Sequence, residues 1–327
     1  MKKLLILSLV SSLVIFLTAC GSTTNTPSKN QNGLTVFTTV YPLTYFTERI
    51  GGKLVKVESV YPAGSNEHTF DPTQQNMMEL ADADLFFYIG LGLEGFVESA
   101  KKTLASENVT MIATADAVSD EALEAGNQAN ENEHTEEHEN EEESHEGHSH
   151  GKIDPHLWIS PQISQQLALS IKKSLIEKDP KNEGTYSQNY EELVSELGEL
   201  DQAFKEMADS SDNKTFFVSH DAFGYLASTY GLEQVAVAGL NSQDEPSQRE
   251  LTDIVKLAKE KNITTILFEQ NVSSNLAKVI QNEIGAQALT MHNLGVLTKQ
   301  DIDQKETYFT LMEQNLKTLQ KALQSSN

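Results

Sequence analysis

Continuous apolar segments alternate with amphipathic segments along the chain from residue 34 onward. Runs such as "DLFFYIG" (84–90) and "KTFFVSH" (214–220) predict buried strands, and stretches of helical periodicity predict helices between them. Because apolar strands separated by helices are typical of a parallel sheet covered on both faces, the pattern predicts an α/β fold. The predicted strands are 34–43, 55–61, 84–90, 109–114, 214–220, 233–239, 264–270 and 286–291. The predicted helices are one ending near 50–52, one at 71–83 with Pro72 in its first turn, and 93–105, 246–262, 274–285 and 301–324.

The middle of the chain carries one long amphipathic helix in place of this alternation. Its apolar residues recur at spacings of 4, 3, 4, 3, 4 and 3, as Tyr186, Tyr190, Leu193, Leu197, Leu200, Phe204 and Met207. This spacing predicts a helix over about 182–210, roughly 40 Å long, with a single apolar stripe. A coiled-coil partner would use the same stripe, but one short run flanked by α/β segments favours a rigid strut that joins two lobes.

Two α/β lobes follow from this order of elements. We predict an N-terminal lobe at 34–165, a helical region at 166–212 and a C-terminal lobe at 213–327. The first lobe contains the insertion "NQANENEHTEEHENEEESHEGHSHG" (127–151), which has no aliphatic or aromatic residue beyond Ala129. Since such a segment has almost nothing to bury, it is predicted to be disordered.

The N-terminus has the composition of an export signal. Two lysines precede an apolar run of fourteen residues (4–17), which is short for a membrane span of about 20 residues. The run ends in "LTAC", which resembles the lipobox of bacterial lipoproteins, where cleavage leaves a cysteine that carries lipid. A chance cysteine near an uncleaved anchor is the alternative, but Cys20 is the only cysteine and can form no internal disulfide. We predict a signal peptide at 1–19 and a lipid-anchored, flexible tether at 20–33.

The charge of the chain narrows the range of partners. With 48 acidic and 24 basic residues, the formal net charge is −24. Such a chain repels nucleic acid and anionic lipid headgroups and attracts cations. A function in nucleic-acid binding is therefore excluded.

Nine histidines are divided between the insertion and the rest of the chain. Three of those outside it lie at the end of a predicted strand or at the mouth of a loop: His68, His156 and His220. Because the carboxyl ends of parallel strands are where ligands bind, side chains far apart in sequence can meet there. A single histidine is more often a hydrogen-bonded structural residue, but three equivalent positions favour a zinc site, since three imidazoles and one further ligand make a tetrahedral site.

Four motifs make the chain resemble a known family. They are "EHTFDPTQQNMMELADADLFFYIGLGLEGF" (67–96), "DPHLWISP" (154–161), "VSHDAFGYLASTYGL" (218–232) and "LFEQNVSSNLAKVI" (267–280). Together they give nearly the whole mature chain a resemblance to the substrate-binding lipoproteins of bacterial ABC importers for zinc and manganese. The resemblance implies two α/β lobes joined by a long, stiff helix, with a metal in the cleft between the lobes.

The resemblance also assigns metal ligands residue by residue. Its first three ligand positions fall on His68, His156 and His220. Manganese members of the family place Glu at the third position, whereas zinc members place His. Nitrogen at this position favours zinc over the harder manganese ion. Because these ligands must be deprotonated, binding is expected to weaken as the pH falls through about 6.5.

The fourth ligand is left open among three alternatives. The position where some zinc members carry Glu is Gly295 in this chain. His292 stands where family members often have Asp, and Glu67 adjoins the first ligand. His292 and Glu67 are equal candidates, and water is the third. The residues expected to orient the ligand imidazoles are Glu269, Asp154 and Asp221, of which the last two alternatively cap turns.

The insertion is predicted to be an accessory metal-capture segment. An unfolded His/Glu segment loses conformational entropy when it wraps a metal, so each site in it is weak, whereas a preformed site avoids most of that cost. The segment would capture and hand over zinc when zinc is scarce, or meter it when zinc is abundant; the alternative is a solubilising acidic loop. Its histidines are His134, His138, His145, His148 and His150.

The function predicted from these features is a zinc receptor, lipid-anchored at the extracellular face of the cell membrane as in Gram-positive bacteria. It would be a monomer without enzymatic activity that delivers Zn²⁺ to an ABC permease and ATPase on separate chains, since this chain has no "GxxxxGK[ST]" motif and no second apolar span. Alternatives are a manganese or iron receptor, disfavoured by His220, a surface adhesin, and a zinc hydrolase, disfavoured by the lack of "HExxH" and of an evident general base.

Overall fold

Two four-stranded sheets form the fold in a computed structural model, which describes residues 33–131, 153–244, 246–270 and 274–324, with the backbone alone for 127–131. The strands of the first sheet are β1 Leu34–Thr38, β2 Val55–Ser59, β3 Leu85–Tyr88 and β4 Thr110–Ala113, in the order β2-β1-β3-β4. Those of the second are β5 Thr215–His220, β6 Glu233–Ala238, β7 Thr265–Phe268 and β8 Gln287–Thr290, in the order β6-β5-β7-β8. All neighbouring strands pair in parallel, so the predicted α/β class is confirmed.

Helices connect the successive strands, as parallel pairing requires. The first half contains α1 Tyr41–Gly51, α2 Gln74–Ala81, α3 Val97–Thr103 and α4 Asp120–Glu131. The two sheets are linked through α5 Pro161–Lys178 and α6 Glu183–Ser210. The second half contains α7 Gly224–Tyr230, α8 Gln248–Glu260, α9 Asn275–Ile284, α10 Lys299–Gln304 and α11 Tyr308–Ala322. Short 3₁₀ turns lie at Gly52–Leu54, Thr114–Ala117, Leu157–Ile159 and Pro180–Asn182.

One inner strand of each sheet, β3 in the first and β5 in the second, is buried along its whole length. All four residues of β3 and all six of β5 are buried. In the first sheet Phe86 lies opposite Phe37 and Met111. Burial of these aromatic and β-branched side chains is the main stabilising contribution, at roughly 25 cal/mol per Å² of apolar surface. The continuous apolar runs in the sequence are therefore explained.

The long linker helix α6 has 28 residues, about 42 Å at 1.5 Å per residue. Of its predicted stripe, Tyr190 is partly buried and the other six residues are buried against the rest of the chain. The stripe thus packs within this chain, and the prediction of a long helix joining two sheet-containing lobes is confirmed. Helices α1 and α6 are also joined by an ion pair of 2.6 Å between Arg49 and Glu196.

Several predicted element boundaries were wrong, each for a local reason. The strand predicted at 34–43 ends at Thr38, since α1 begins at Tyr41 with Pro42 in its first turn. The helix predicted at 71–83 begins at Gln74, because Thr73 caps it by accepting a hydrogen bond from the backbone N–H of Asn76. The helix predicted at 301–324 is two helices: Lys305 has φ 58°, which ends α10, and Thr307 caps α11.

The acidic insertion is shorter than the sequence pattern indicates. Helix α4 continues to Glu131, five residues into the segment predicted to be disordered from 127. The rest of that segment lies outside the described residues, as do the signal peptide and all but the last residue of the tether. Within the described part of the chain, no helix is both long and apolar enough to cross a membrane. The lobe boundaries at 165 and 212 stay predictions.

Candidate metal centre

Three histidines that are far apart in sequence meet at one point. His68 lies in the loop that follows β2, His156 immediately precedes the 3₁₀ turn Leu157–Ile159, and His220 is the last residue of β5. One ring nitrogen of each lies within 4.8 Å of the others. The ring centroids are 5.0 to 5.3 Å apart. The structure therefore brings together the three primary ligands predicted from the sequence.

His156 is held by the "DPHLW" segment. Its Nδ1 lies 2.7 Å from Asp154 Oδ1, and its backbone N–H donates to the same oxygen over 2.8 Å. Since a carboxylate accepts, Nδ1 carries the proton and Nε2 keeps its lone pair. Trp158 packs edge-on against the imidazole, with the ring centroids 5.4 Å apart, and His156 is fully buried. The predicted role of Asp154 in orienting a ligand imidazole agrees with this geometry.

His68 and His156 direct one ring nitrogen each towards the other. His156 Nε2 lies 3.2 Å from His68 Nε2. Burial and the two neighbouring imidazoles lower the pKa of His68 to about 2, and burial lowers the pKa of His156 well below its ordinary value. Both rings are therefore neutral, and two lone pairs can converge on one cation.

His220 has acceptors on both ring nitrogens. Nδ1 lies 3.1 and 3.2 Å from the two carboxylate oxygens of Glu269, and Nε2 lies 3.0 Å from the carbonyl oxygen of Leu240. Burial by itself lowers the pKa of His220, but the carboxylate of Glu269, the Leu240 carbonyl and the charge of Glu67 together raise it to about 9. This contact is compatible with the orienting role expected of Glu269, which stays a prediction. Leu240 was not anticipated, because a backbone acceptor leaves no signal in the side-chain pattern.

Glu67 is buried beside the cluster of three histidines. Its side chain is 2 % exposed, and its Oε1 accepts a hydrogen bond of 2.8 Å from Asn293 Nδ2. Burial raises the pKa of Glu67 to about 7; a hydrogen bond from its own backbone N–H opposes this rise, the charge of Glu269 adds to it, and His220 opposes it. Sequence reasoning missed Asn293, since an isolated Asn within "MHNLGV" carries no recognisable pattern.

His292 is not brought to the cluster. Its backbone N–H donates to Asn315 Oδ1 and its carbonyl accepts from Asn315 Nδ2, each over 2.7 Å. Its imidazole has Asp301, Glu306 and Gln314 as its polar surroundings, and burial lowers its pKa. Among the described residues, the only group of three or more His, Cys, Asp or Glu with metal-binding spacing is the triad of His68, His156 and His220. The chain after β8 instead leads His292 towards α11, where its backbone is bonded to Asn315.

Asp221 makes its hydrogen bonds within the turn that follows His220. Its carboxylate accepts from the side chain of Gln234, whose own oxygen accepts from the backbone N–H of Phe223 over 2.8 Å. Its backbone N–H donates to the carbonyl of Ala238. Burial and the charge of Asp154 raise the pKa of Asp221 to about 7. Asp221 therefore braces the turn that follows His220 and has no direct contact with the imidazole.

Both ends of the acidic insertion are attached close to His156. At one end, Gly126 of α4 packs so closely on Tyr225 that a Cβ atom there would meet the ring at 2.2 Å. The Tyr225 hydroxyl donates to the carbonyl of Asp154 over 2.8 Å, and Asp154 lies just after the other end. The five histidines of the insertion lie outside the described residues.

Two parallel-sheet lobes, a long linking helix and a triad of converging histidine nitrogens define a two-lobed α/β receptor of the metal-binding class. The sequence profile of the family "ZnuA: Zinc-uptake complex component A periplasmic" matches residues 36–322, and the chain belongs to this family.

Similar proteins support the same assignment. The chain is 34% identical over 324 residues to the high-affinity zinc uptake system protein ZnuA of Bacillus subtilis, with 98% of both chains covered. It is 33% identical over 319 residues to the zinc-binding lipoprotein AdcA of Streptococcus pneumoniae, which covers 98% of this chain but 60% of AdcA. The crystal structure of the Zn(II)-bound ZnuA-like domain of that AdcA superposes with a TM-score of 0.71 and 30% identity, covering 90% of this chain and all of the domain.

Proposed function

We propose that this chain binds Zn²⁺ as cargo through His68, His156 and His220 and delivers it to the membrane permease of an ABC importer. The observation that carries the proposal is the convergence of three ring nitrogens, within 4.8 Å of one another, from segments attached to both sheets. Three imidazoles with one further ligand match the tetrahedral geometry that Zn²⁺ prefers. Membership of the zinc-uptake family and the names of the relatives give independent support.

Carboxylates behind two of the imidazoles suit them to hold a divalent cation. Asp154 accepts from His156 and Glu269 accepts from His220. A carboxylate on the far nitrogen fixes the ring orientation and makes the near nitrogen a better donor. The negative charge behind each ring also offsets part of the charge of the metal. Nitrogen at all three positions favours Zn²⁺ over Mn²⁺, which prefers oxygen ligands.

Glu67 is the fourth ligand in this proposal, and a water molecule is the alternative. Glu67 adjoins His68 in sequence, is buried, and has a carboxylate close enough to His220 for each to shift the pKa of the other. A carboxylate in this place would complete a His₃Glu set and neutralise one charge of the cation. His292 is dropped from the ligand set because its imidazole faces α10 and α11.

A receptor role accounts for the polar groups around the triad better than catalysis does. The two carboxylates with hydrogen bonds to ligand imidazoles, Asp154 and Glu269, are committed to orienting those rings. A zinc hydrolase instead needs a group free to take a proton from a metal-bound water. Binding without turnover is thus the function that the geometry supports best.

The acidic insertion serves as an accessory zinc-capture segment. Its five histidines lie in a segment predicted to be unfolded, so no tight site is expected there. Both ends of the segment are attached beside Tyr225 and Asp154, close to His156. A metal held loosely there is at a high effective concentration next to the triad. The segment therefore speeds capture, while the triad determines affinity.

Delivery places the protein at the outer membrane surface with separate partner chains. We expect a lipid on Cys20, an extracellular location, a monomeric receptor, and a permease and ATPase encoded as other chains. The full chain has a net charge of −24, and the predicted signal peptide contributes only positive charge, so the mature protein is kept off anionic headgroups and nucleic acid and the lipid is what holds it at the membrane.

A competitive Zn²⁺ titration against a chromophoric chelator tests this function. Three forms would be compared: the mature chain, a variant with the five insertion histidines replaced by Asn, and that variant with His220→Ala. We expect the second form to keep one tight site and the third to lose it. If tight binding instead disappears with the insertion histidines and is indifferent to His220, the proposed site is wrong.

A further inference from the structure

Asn293 makes two hydrogen bonds to buried carboxylates with a single amide nitrogen. Its Nδ2 lies 2.8 Å from Glu67 Oε1 and 2.8 Å from Glu269 Oε2. Asn293 itself is 1 % exposed, Glu67 is 2 % and Glu269 is 5 % exposed. No solvent is therefore available to replace either bond, and loss of the amide would leave two buried carboxylates without this donor.

The orientation of this amide is fixed by its surroundings. Asn293 Oδ1 accepts a hydrogen bond of 3.0 Å from the backbone N–H of Gly295, so the oxygen faces Gly295 and the two N–H groups face the carboxylates. The carbonyl of Asn293 accepts from Trp158 Nε1 over 2.6 Å, and the carbonyl of Gly295 accepts from the backbone N–H of Tyr41. Between them Leu294 is fully buried with φ 59°. The segment that carries the amide is thus held from several sides.

The two carboxylates have different places in the proposed site: Glu269 lies behind a ligand imidazole, and Glu67 is itself the proposed fourth ligand. Glu269 accepts from Nδ1 of His220, which ends a strand of the second sheet. Glu67 precedes His68, which lies in a loop of the first sheet. A neutral donor shared between them offsets their mutual repulsion without adding charge, and it sets their separation. Asn is suited to this task, whereas Asp would present a third negative oxygen and Leu would present no donor.

We propose that Asn293 is a positioning residue of the metal site, which holds Glu67 and Glu269 together so that the ligands of the two sheets share one geometry. This inference rests on the proposed function of the triad as a zinc site. Asn293 does not touch the metal in this arrangement; it acts through the two carboxylates. Substitution should therefore alter both the affinity for Zn²⁺ and the geometry of the bound ion.

A matched control exists in Asn315, which holds the neighbouring residue without contacting either carboxylate. Asn315 is fully buried and makes two hydrogen bonds of 2.7 Å to the backbone of His292. Substituting either Asn by Leu removes two or more buried hydrogen bonds from the segment 291–295. A loss of affinity that merely reflects a loosened segment would appear in both variants.

The experiment uses the full mature chain with the five insertion histidines replaced by Asn, carrying Asn293→Leu, Asn315→Leu or His220→Ala. We expect Asn293→Leu to raise the Kd for Zn²⁺ about 10- to 100-fold, as loss of residues behind metal ligands does, and Asn315→Leu to raise it less than about threefold. The visible spectrum of the Co²⁺-loaded protein should change with Asn293→Leu and stay unchanged with Asn315→Leu. Asn293→Asp, which keeps the side-chain volume and the bond from Gly295, should also change this spectrum and replaces Asn293→Leu if that variant does not fold.

Each outcome tests either the positioning role of Asn293 or the proposed zinc site. Equal losses in Asn293→Leu and Asn315→Leu, or a Co²⁺ spectrum unaltered by both Asn293 substitutions, would overturn the positioning role. If His220→Ala keeps the Zn²⁺ affinity of its parent, the proposed function itself fails. If His220→Ala abolishes binding while Asn293→Leu leaves it unchanged, the zinc site stands and only the role of Asn293 is lost.

Discussion

The carboxylate of Glu67 fills the space that a side chain at Gly295 would need. A Cβ atom at position 295 would lie 2.6 Å from Glu67 Oε1 and 2.8 Å from its Cδ. Such distances do not occur in relaxed structures, so one of the two groups would have to move. Because residue 295 is a glycine, the carboxylate of Glu67 can occupy the space that a side chain there would fill.

Gly295→Ala should weaken zinc binding by displacing Glu67. The new methyl group would push the carboxylate away from Asn293 and out of its place among the proposed ligands, and we expect the Kd for Zn²⁺ to rise at least about tenfold. Gly198→Ala is the matched control, since nothing lies within 4 Å of a Cβ atom at that half-buried helical position. It should leave the Kd unchanged and stabilise α6 by up to about 1 kcal/mol. Isothermal titration with a competing chelator would measure both; an unaltered Kd in Gly295→Ala would count against Glu67 as a ligand.

Removal of a ligand histidine should be far more damaging than removal of His292. We expect His68→Asn, His156→Asn and His220→Asn each to raise the Kd for Zn²⁺ at least about 100-fold, equivalent to about 3 kcal/mol. His292→Asn should change it less than about threefold, because that imidazole lies among Asp301, Glu306 and Gln314. The same competition assay serves for all four variants. Equal losses across the four would mean that His292 also binds the ion.

Glu269→Gln should lower the affinity while the fold is retained. The amide oxygen can still accept from His220, but the negative charge that makes this imidazole a strong donor is gone, so we expect a 10- to 100-fold rise in Kd. Glu94→Gln is the control, since Glu94 is equally buried at 5 % exposure and accepts from Thr39 and from two backbone N–H groups away from the triad. It should reduce the unfolding temperature and spare the Kd. A comparable loss of affinity in both variants would point to a general effect of charge or stability.

Zinc affinity should depend on pH over a range set by His220. Zn²⁺ must displace the proton of His220, whose pKa is raised to about 9, whereas His68, with a pKa of about 2, is already deprotonated. Affinity should therefore fall about tenfold for each unit of pH between 9 and 7, and more steeply below about 7, where Glu67 also takes up a proton. The sequence alone placed this decline near 6.5, the ordinary value for imidazole.

Kd values determined from pH 6 to 9.5 would reveal this dependence. His292→Asn should show the same dependence of Kd on pH as the unsubstituted chain, since no proton leaves His292 when the metal binds. A Kd that is constant between pH 7 and 9 would show that His220 loses no proton when the metal binds, and it would contradict the prediction.

The fold was largely accessible from local patterns. The apolar runs of β3 and β5 and the stripe from Tyr186 to Met207 each carry a periodicity that identifies the element without knowledge of its neighbours. Boundaries were less accessible, because they depend on single events such as the positive φ of Lys305, which divides the predicted final helix in two. The extension of α4 to Glu131 went unrecognised because residues 127–131 contain no apolar residue beyond Ala129.

The sequence by itself determined which residue types are available for the site: three histidines at the ends of structural elements, with acidic residues beside them. Tertiary structure decided which of these residues meet. Glu67 and Asn293 are 226 positions apart, yet they share a hydrogen bond, whereas His292, next to Asn293, is directed elsewhere. Local periodicity fixes the direction of a side chain within its own element, but contacts across two sheets depend on how the whole chain packs. For that reason the candidate ligands were visible in the sequence, and the network of hydrogen bonds that holds them was not.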